Sequence, residues 1–295
     1  MNPVAGKGSA LKLQPIIQQF MEDHGIPLDL HLTQFPGHAA LIASQVDDPE
    51  VTVIAAGGDG TSNEVLNGLM DSGTRRMGVL PVGSGNDFSY GSIGQTSLPG
   101  CLELLKDPWY QSIDVGLVRG GFFPDGRYFA NGVGIGFDTL VGFEAAKMKR
   151  IRGASAYALA ALKLLAVYPR FPELKITIDS REITGAPILI SLMNGKRMGG
   201  AFHMAPTAEI NDGLLNYCMT RQGKRGKLLR DMMHYLKGDQ HLLEDTFTGQ
   251  GSRFVITALT GGMAVHADGE TICEAGTELE VTCVPSVVQL LSPRK

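Results

Sequence analysis

Cysteine is scarce in this 295-residue chain: Cys101, Cys218, Cys273 and Cys283 stand alone, with no CxxC pair among them. That excludes a zinc knuckle of ordinary spacing and a disulfide framework, and it fits reduced thiols in a cytosolic protein. Basic excess is missing too. The formal charge is −4, which argues against a general nucleic-acid binder, so no nucleic-acid partner is expected. Met1 leads directly into Asn2-Pro3 without an apolar run, so no signal peptide is expected. The most apolar stretch, Ala154–Val167, is interrupted by Ser155 and Lys163 and is too short to span a bilayer. The seven histidines fall at no metal-ligand spacing, and no zinc is expected. The dinucleotide fingerprint is absent, and no glycine precedes Gly6-Lys7 at P-loop spacing. No internal repeat or low-complexity linker breaks the chain.

What the chain has is glycine, 38 residues of it, against an ordinary background of 43% hydrophobic and 19% charged residues. Its length allows two domains, each with a core. The central stretch starts as the β-branched apolar run Val51-Thr52-Val53-Ile54, passes through Gly57-Gly58-Asp59-Gly60-Thr61, and continues with Val65, Leu66 and Leu69 at helical spacing. This reads as strand, glycine turn and helix start, a local structure that presents backbone N–H groups and positive potential to an anion. Glycine removes the Cβ that would hold the anion off. Asp59 in such a turn suits a phosphate only with a cation between them, and Mg²⁺ takes carboxylate and phosphate oxygens. A Mg-nucleotide site is therefore expected at residues 57–61, although a plain packing turn has the same local pattern.

Taken in order, the chain predicts a loop at residues 2–8, a helix to about His24 and a strand over residues 28–32. A helix over 38–46, the Val51 strand with its helix, a strand over 77–81 and a second glycine loop at 82–88 follow. This βαβα order implies a parallel, doubly wound sheet with its loops at the carboxyl ends of the strands. After about Val118 short alternating strands take over, at 128–131, 174–179, 187–193, 214–219, 253–259, 263–266, 279–284 and 287–291. Helical inserts at about 139–168 and 224–237 interrupt them. The expected fold is α/β plus all-β. A doubly wound α/β domain covers residues 1–118, and an antiparallel β-sandwich with helical inserts covers 119–295, its last residues expected back in the first domain.

Three glycine loops in this order give the sequence its resemblance to the diacylglycerol kinase catalytic-domain family, which includes bacterial lipid kinases and the sphingosine and ceramide kinases. The segments that carry it are Asn2-Pro3 with Gly6-Lys7-Gly8, Gly57 to Thr61 with Asn63-Glu64, and Gly83-Ser84-Gly85-Asn86-Asp87-Phe88, where threonine is more usual than Ser84. They continue with Ile113-Asp114-Val115-Gly116, Gly134-Ile135-Gly136-Phe137-Asp138, Gly199-Gly200, Ala205-Pro206 to Leu215, and Asp268-Gly269-Glu270. The resemblance covers nearly the whole chain. A lone Gly-Gly-Asp-Gly-Thr is shared with NAD kinases and phosphofructokinases, whose nucleotide domain the first half is similar to.

The resemblance implies ATP bound in a cleft between two domains and Mg²⁺ as cofactor. Asn2, Pro3, Gly6, Lys7, Thr33, Gly57, Gly58, Asp59, Gly60, Thr61, Asn63, Glu64 and Ser84 are the implied nucleotide contacts. Asp59, Asp87 and Asp114 would hold Mg²⁺, and Glu270 would be the general base, with Asp59 as the other candidate and Asp268 a weaker one. A separate structural Mg²⁺ is implied at Asp212 with the backbone carbonyls of Glu209 and Leu214. The expected activity is phosphorylation of a lipid alcohol, with diacylglycerol to phosphatidic acid as the expected reaction. The alternatives are an NAD kinase-like enzyme and a non-catalytic nucleotide- or lipid-binding regulator. In the family a strand precedes the Asn-Pro loop. Here that strand is missing, so either the start lies upstream or another segment fills its place.

Apart from the resemblance, Asp-Gly-Glu at 268–270 is a good hairpin turn in its own right, and Thr33 could simply cap the next helix. Two basic clusters stand out on a chain of net −4: Lys147, Lys149, Arg150 and Arg152, and Arg221, Lys224, Arg225, Lys227 and Arg230. They point to peripheral contact with an anionic membrane, and so to a cytoplasmic protein at the membrane's inner face. A homodimer is one state the sequence admits.

Overall fold

Residues 1–83, 85–94, 97–148 and 154–294 are described in the computed structural model, with backbone alone at Lys7 and residues 154–158. The chain divides into two units, Met1–Val115 with Pro285–Lys295, and Gly116–Val284. In the first, a 3-10 turn at Ala5–Gly8 leads into α1 (Ala10–Asp23), and α2 (His38–Ser44) follows. The β-branched run forms β1 (Val53–Gly57) and passes through Gly58 into α3 (Asp59–Leu69). β2 (Arg76–Pro81) is followed by α4 (Asp87–Ile93) and α5 (Leu98–Glu103), and β3 (Tyr110–Gly120) begins in this unit. β1 and β2 pair in parallel, Val53 opposite Met77 through Gly57 opposite Pro81. Five consecutive residues of β2 are buried, as expected of a strand enclosed on both faces. The last strand of the chain returns beside β2, with Gln289 and Leu290 opposite Arg76 and Met77.

The strand expected at residues 28–32 does not form. A ladder needs a run of partners, and among the described residues the backbone hydrogen bonds of this segment to another part of the chain go to Met1. The terminal amine donates to the His31 carbonyl at 2.7 Å and Thr33 N–H to the Met1 carbonyl at 2.9 Å. On its other side the stub is tied to β1, Asn2 N–H donating to Ala56 O at 2.9 Å. Residues 1–2 thus take up hydrogen bonds beside β1, at the position the sequence reading leaves without a strand.

The second unit comprises β4 (Phe123–Phe129), β5 (Gly132–Gly136), α6 (Phe137–Ala146), α7 (Ala154–Val167), β6 (Leu174–Ile178), β7 (Arg181–Gly185) and β8 (Pro187–Met193). β9 (Leu215–Arg221), α8 (Arg225–Lys237), β10 (Thr246–Gly251), β11 (Arg253–Ala258), β12 (Met263–Ala267), β13 (Glu270–Gly276) and β14 (Glu278–Leu291) complete it, β14 ending in the first unit. One antiparallel sheet runs β10-β9-β8-β5-β12-β13. In the other, β11 lies between β6 and β14, β7 flanks β6, and β3 pairs with β4. Their inner faces meet in a core that includes Phe129, Phe254, Ile190, Leu192, Val265 and Val281, the sandwich expected from the alternating pattern. On the β6 strand that alternation is explicit, with Leu174, Ile176 and Ile178 buried and the residues between them half-buried. A smaller core of Val141, Ala160, Leu164, Leu165 and Ile188 lies under α6 and α7, and Leu228 and Met232 of α8 pack on it.

Several boundaries differ from the pattern. The 128–131 segment is the junction of β4 and β5, and β3, β7, β10 and β13 add strands whose half-polar sequences hide them. The segments at 279–284 and 287–291 are one strand, although Pro285 has no N–H and Ser286 takes a left-handed φ of 55°. The Asp114 carboxylate accepts the Ser286 N–H at 2.8 Å, which gives the irregular turn of the strand a hydrogen-bond partner.

Candidate active site

Within the first unit, the loops at 2–8, 57–61 and 82–87 come together at the carboxyl ends of β1 and β2. Asn2 Nδ2 donates to Thr61 Oγ1 at 3.1 Å, and Val4 N–H returns a bond to Asn2 Oδ1. Val82 N–H donates to Gly57 O at 3.0 Å, extending the β1–β2 pairing into the loops. A Cβ on Gly83 would stand 2.3 Å from Gly58 Cα, so the two glycine loops touch backbone to backbone, and only glycine permits it. Asn86 adopts a left-handed φ of 54° and closes its loop with a bond from Nδ2 to Gly83 O.

Asp59 opens α3 and reaches across to the other loop, its Oδ1 accepting Phe88 N–H at 3.1 Å. Asp87 is buried at the start of α4. At Gly85 an added Cβ would lie 2.8 Å from Asp59 Oδ2 and 4.0 Å from Asp87 Oδ2. The missing side chain leaves a small cradle walled by two carboxylates, and α3 contributes the positive end of its dipole beside it. Oxygen donors of this kind suit a hard divalent cation and its phosphate.

Other expected contacts are placed differently. Both oxygens of Glu64 are used on α2, accepting Gly37 N–H at 2.9 Å and Ala39 N–H at 3.1 Å. It is a helix cap, because α2 begins without a capping side chain of its own. Asn63 is buried, with its Oδ1 accepting from Asn67 Nδ2, so it faces the interior of the unit. Asp114 is wholly buried and holds Ser286. Among the described residues, no three His, Cys, Asp or Glu groups gather closely enough to hold a metal by themselves, so the expected Asp59–Asp87–Asp114 trio does not assemble as one. Pro3 and Gly6 belong to the converging loops, Gly60 lies in the first turn of α3, and Thr33 is tied to Met1 through its backbone. Ser84 and the side chain of Lys7 lie outside the described residues, as do Lys149, Arg150 and Arg152.

In the second unit, Asp268 and Gly269 form the two-residue tip between β12 and β13, both with positive φ (47° and 84°), the conformation that suits a tight hairpin. Asp268 does more than turn. Its carboxylate accepts three consecutive amides at the β4–β5 junction: Ala130 N–H at 2.7 Å, Asn131 N–H at 3.1 Å and Gly132 N–H at 2.8 Å. This clamp fixes the hairpin from which Glu270 projects. Glu270 is partly exposed, and its Oε2 accepts Arg127 Nε–H at 2.7 Å. Arg127 in turn lies over the Phe123 ring. No sequence signal marks Arg127, which stands 143 positions from its partner. His266 and Asp138, 3.6 Å apart, close over Gly134, where a Cβ would strike both side chains. Asp212 accepts Leu214 N–H and Gln250 Nε2–H, the hydrogen bonds of a turn carboxylate.

Glycine loops on a parallel sheet and an antiparallel sandwich stand in the same chain, and the match of its first part to a kinase catalytic domain sets the class as a kinase. Residues 1–118 match the family described as "Diacylglycerol kinase catalytic domain", and residues 131–292 match the "YegS C-terminal NAD kinase beta sandwich-like domain". A Bacillus subtilis protein named diacylglycerol kinase is 30% identical over 251 residues, 82% of this chain and 80% of that protein. One from Mycobacterium tuberculosis is 27% identical over 99% of this chain and 94% of its own length. The crystal structure of a diacylglycerol kinase from Bacillus anthracis str. Sterne aligns with a TM-score of 0.71 at 20% identity, over 99% of this chain and 94% of that one, a likeness of fold. The chain belongs to the diacylglycerol kinase catalytic-domain family.

Proposed function

We propose that the protein is an ATP- and Mg²⁺-dependent lipid kinase that phosphorylates the free hydroxyl of diacylglycerol to give phosphatidic acid. The observation that carries the reading is the convergence of three glycine loops around the Asp59–Asp87 cradle. The ATP phosphates lie along residues 2–8, 57–61 and 83–87, where backbone amides and the α3 N-terminus favour anionic oxygens. Lys7 and Ser84 belong to that loop set by sequence. Asp59 and Asp87 fit Mg²⁺, which supplies charge neutralisation on the phosphates.

Glu270 is the general base. Its carboxylate takes the proton of the lipid hydroxyl as the hydroxyl oxygen bonds to the γ-phosphorus, and the bond from that phosphorus to the bridging oxygen breaks to release ADP. Arg127 holds the carboxylate in place, and the Asp268 clamp holds the hairpin that carries it. Phosphoryl transfer asks little covalent chemistry of a protein, so positioned carboxylates and amides are a sufficient outfit. The apolar hollow lined by Ile135, Leu140, Phe171, Ile190 and Met263 in the second unit is in keeping with an acyl-bearing acceptor. Asp212, with the carbonyls of Glu209 and Leu214, is assigned a structural Mg²⁺. The basic clusters are assigned peripheral contact with the anionic inner face of the membrane.

The test is transfer of labelled phosphate from ATP to a panel of lipid alcohols in detergent micelles, with Mg²⁺ and after its chelation, for wild type beside E270Q. Labelled phosphatidic acid is expected, lost on chelation and reduced about 10²–10⁴-fold in E270Q. A different labelled lipid would change the substrate, full activity in E270Q would remove Glu270 as the base, and ATP binding without transfer to any lipid would leave a regulator.

A further inference from the structure

Arg127 stands on the inward face of β4. Side chains alternate along a strand, and this face also carries Phe129, wholly buried, and Phe123, packed on the sandwich core. Across the ladder its partner on β3 is Val118, itself part of that core. A cation on such a face is rare unless a neighbour takes its charge. Here the neighbour is Glu270, whose Oε2 accepts the Arg127 Nε–H at 2.7 Å, while the guanidinium lies 5.6 Å from the centre of the Phe123 ring. The side chains of Arg127 and Glu270 are 19% and 38% exposed, which puts the pair at the rim of the core. The chain on both sides of Arg127 is tied to the hairpin that carries Glu270. Before it, Phe122 N–H donates to the Ile272 carbonyl at 2.9 Å, and after it the amides of Ala130, Asn131 and Gly132 donate to Asp268. β4 and the β12–β13 hairpin cannot part without breaking hydrogen bonds on both sides of the pair. It is thus fixed in place, unlike a loose surface ion pair, which contributes little.

A cation bonded to the base lies beside the atoms the base serves, and its effect follows from charge balance. Before reaction the Glu270 carboxylate and the Arg127 guanidinium together are neutral. The hydroxyl oxygen of the acceptor then bonds to the γ-phosphorus, its proton passes to Glu270, and the bond to the bridging oxygen of ADP breaks. Once Glu270 holds that proton its charge is gone, and the full charge of Arg127 stands beside the phosphoryl oxygens. The attraction between Arg127 and those oxygens is therefore greater in the transition state than before it, the condition under which an interaction accelerates a reaction. A guanidinium suits this task, since its planar fork can keep one N–H on a carboxyl group while others address phosphate oxygens. We infer that Arg127 is a catalytic residue whose charge, released as Glu270 takes the proton, stabilises the transferring phosphoryl group. This deepens the lipid-kinase reading and rests on it for Glu270 as the base. It gives Arg127 a task beyond holding the carboxylate in place.

The experiment measures transfer of labelled phosphate from Mg-ATP to diacylglycerol and other lipid alcohols in detergent micelles by wild type, R127A, E270Q and R127A/E270Q. R127A is expected to lower kcat about 10³-fold with KM for ATP near wild type. The double variant separates the two tasks. In the E270Q background there is no base left to position, so an arginine that only held Glu270 would cost nothing more on removal. The expected result is a further loss of at least about tenfold. A second readout needs no turnover: aluminium fluoride, which with Mg-ADP mimics the transferring phosphoryl group, is expected to raise the Tm of wild type above that with Mg-ADP alone. R127A is expected to keep the Mg-ADP shift and lose the increment. R127M, which keeps the side-chain bulk over Phe123, carries both comparisons if R127A melts well below wild type. Equal transfer by E270Q and R127A/E270Q, or an undiminished aluminium fluoride increment in R127A, would overturn the inference and leave Arg127 a positioning residue. If wild type transfers phosphate to no lipid alcohol, the kinase reading itself falls and this task of Arg127 falls with it.

Discussion

Replacing Asp268 by alanine removes the acceptor of three buried amides at once, Ala130, Asn131 and Gly132, at 2.7–3.1 Å. Each buried donor left without a partner costs on the order of 1–3 kcal/mol. Asp268 itself is half-buried, so water can reach part of the vacated site, and the lower end of that range applies. The expected loss is about 3–4 kcal/mol, a fall in Tm of about 10 °C for a unit of this size. Asparagine is not a neutral replacement. Both Asp268 oxygens accept, so one would be exchanged for an NH₂ facing an amide donor, and D268N is expected to fall between wild type and D268A. Thermal melts followed by circular dichroism, repeated as urea titrations, measure the loss. Because Glu270 begins the strand after this turn, kcat is expected to fall in both variants while KM for ATP stays near wild type. A D268A protein melting within about 2 °C of wild type would refute the clamp as a structural device.

Two further outcomes test the rest of the description. G83A places a Cβ 2.3 Å from Gly58 Cα, and backbone cannot move aside cheaply; a loss of about 2 kcal/mol and of the thermal stabilisation given by Mg-ATP is expected by melting with and without nucleotide. Burial pushes the thiols of Cys101 and Cys218 up to about 11, so at pH 8 the reactive thiolate is about a thousandth of each. Thiol titration of the native protein is expected to report Cys283 first, with all four cysteines reacting at once only after denaturation. Rapid native reaction of Cys218 would contradict its burial.

Sequence determined the parts of this protein that depend on near neighbours. The run Val53 to Gly57, the turn through Gly58 and the helix from Asp59 follow from β-branching, glycine and helical spacing, each a preference exerted within a few residues. The alternating strands of the second half and the amphipathic α8 are legible for the same reason. Tertiary structure decided what the carboxylates do. Glu64 sits in the signature segment, yet it caps a helix 25 residues upstream; Asp114 serves Ser286 across 172 positions; Asp268 turns out to be a three-amide clamp. The failed strand at residues 28–32 and the unforeseen strands β3, β7, β10 and β13 share this origin, since a strand exists only where a partner offers its hydrogen bonds. Arg127 meets Glu270 for a similar reason. A side chain's spacing shows which face of its own element it occupies, but its partner is set by which distant strand the fold brings alongside.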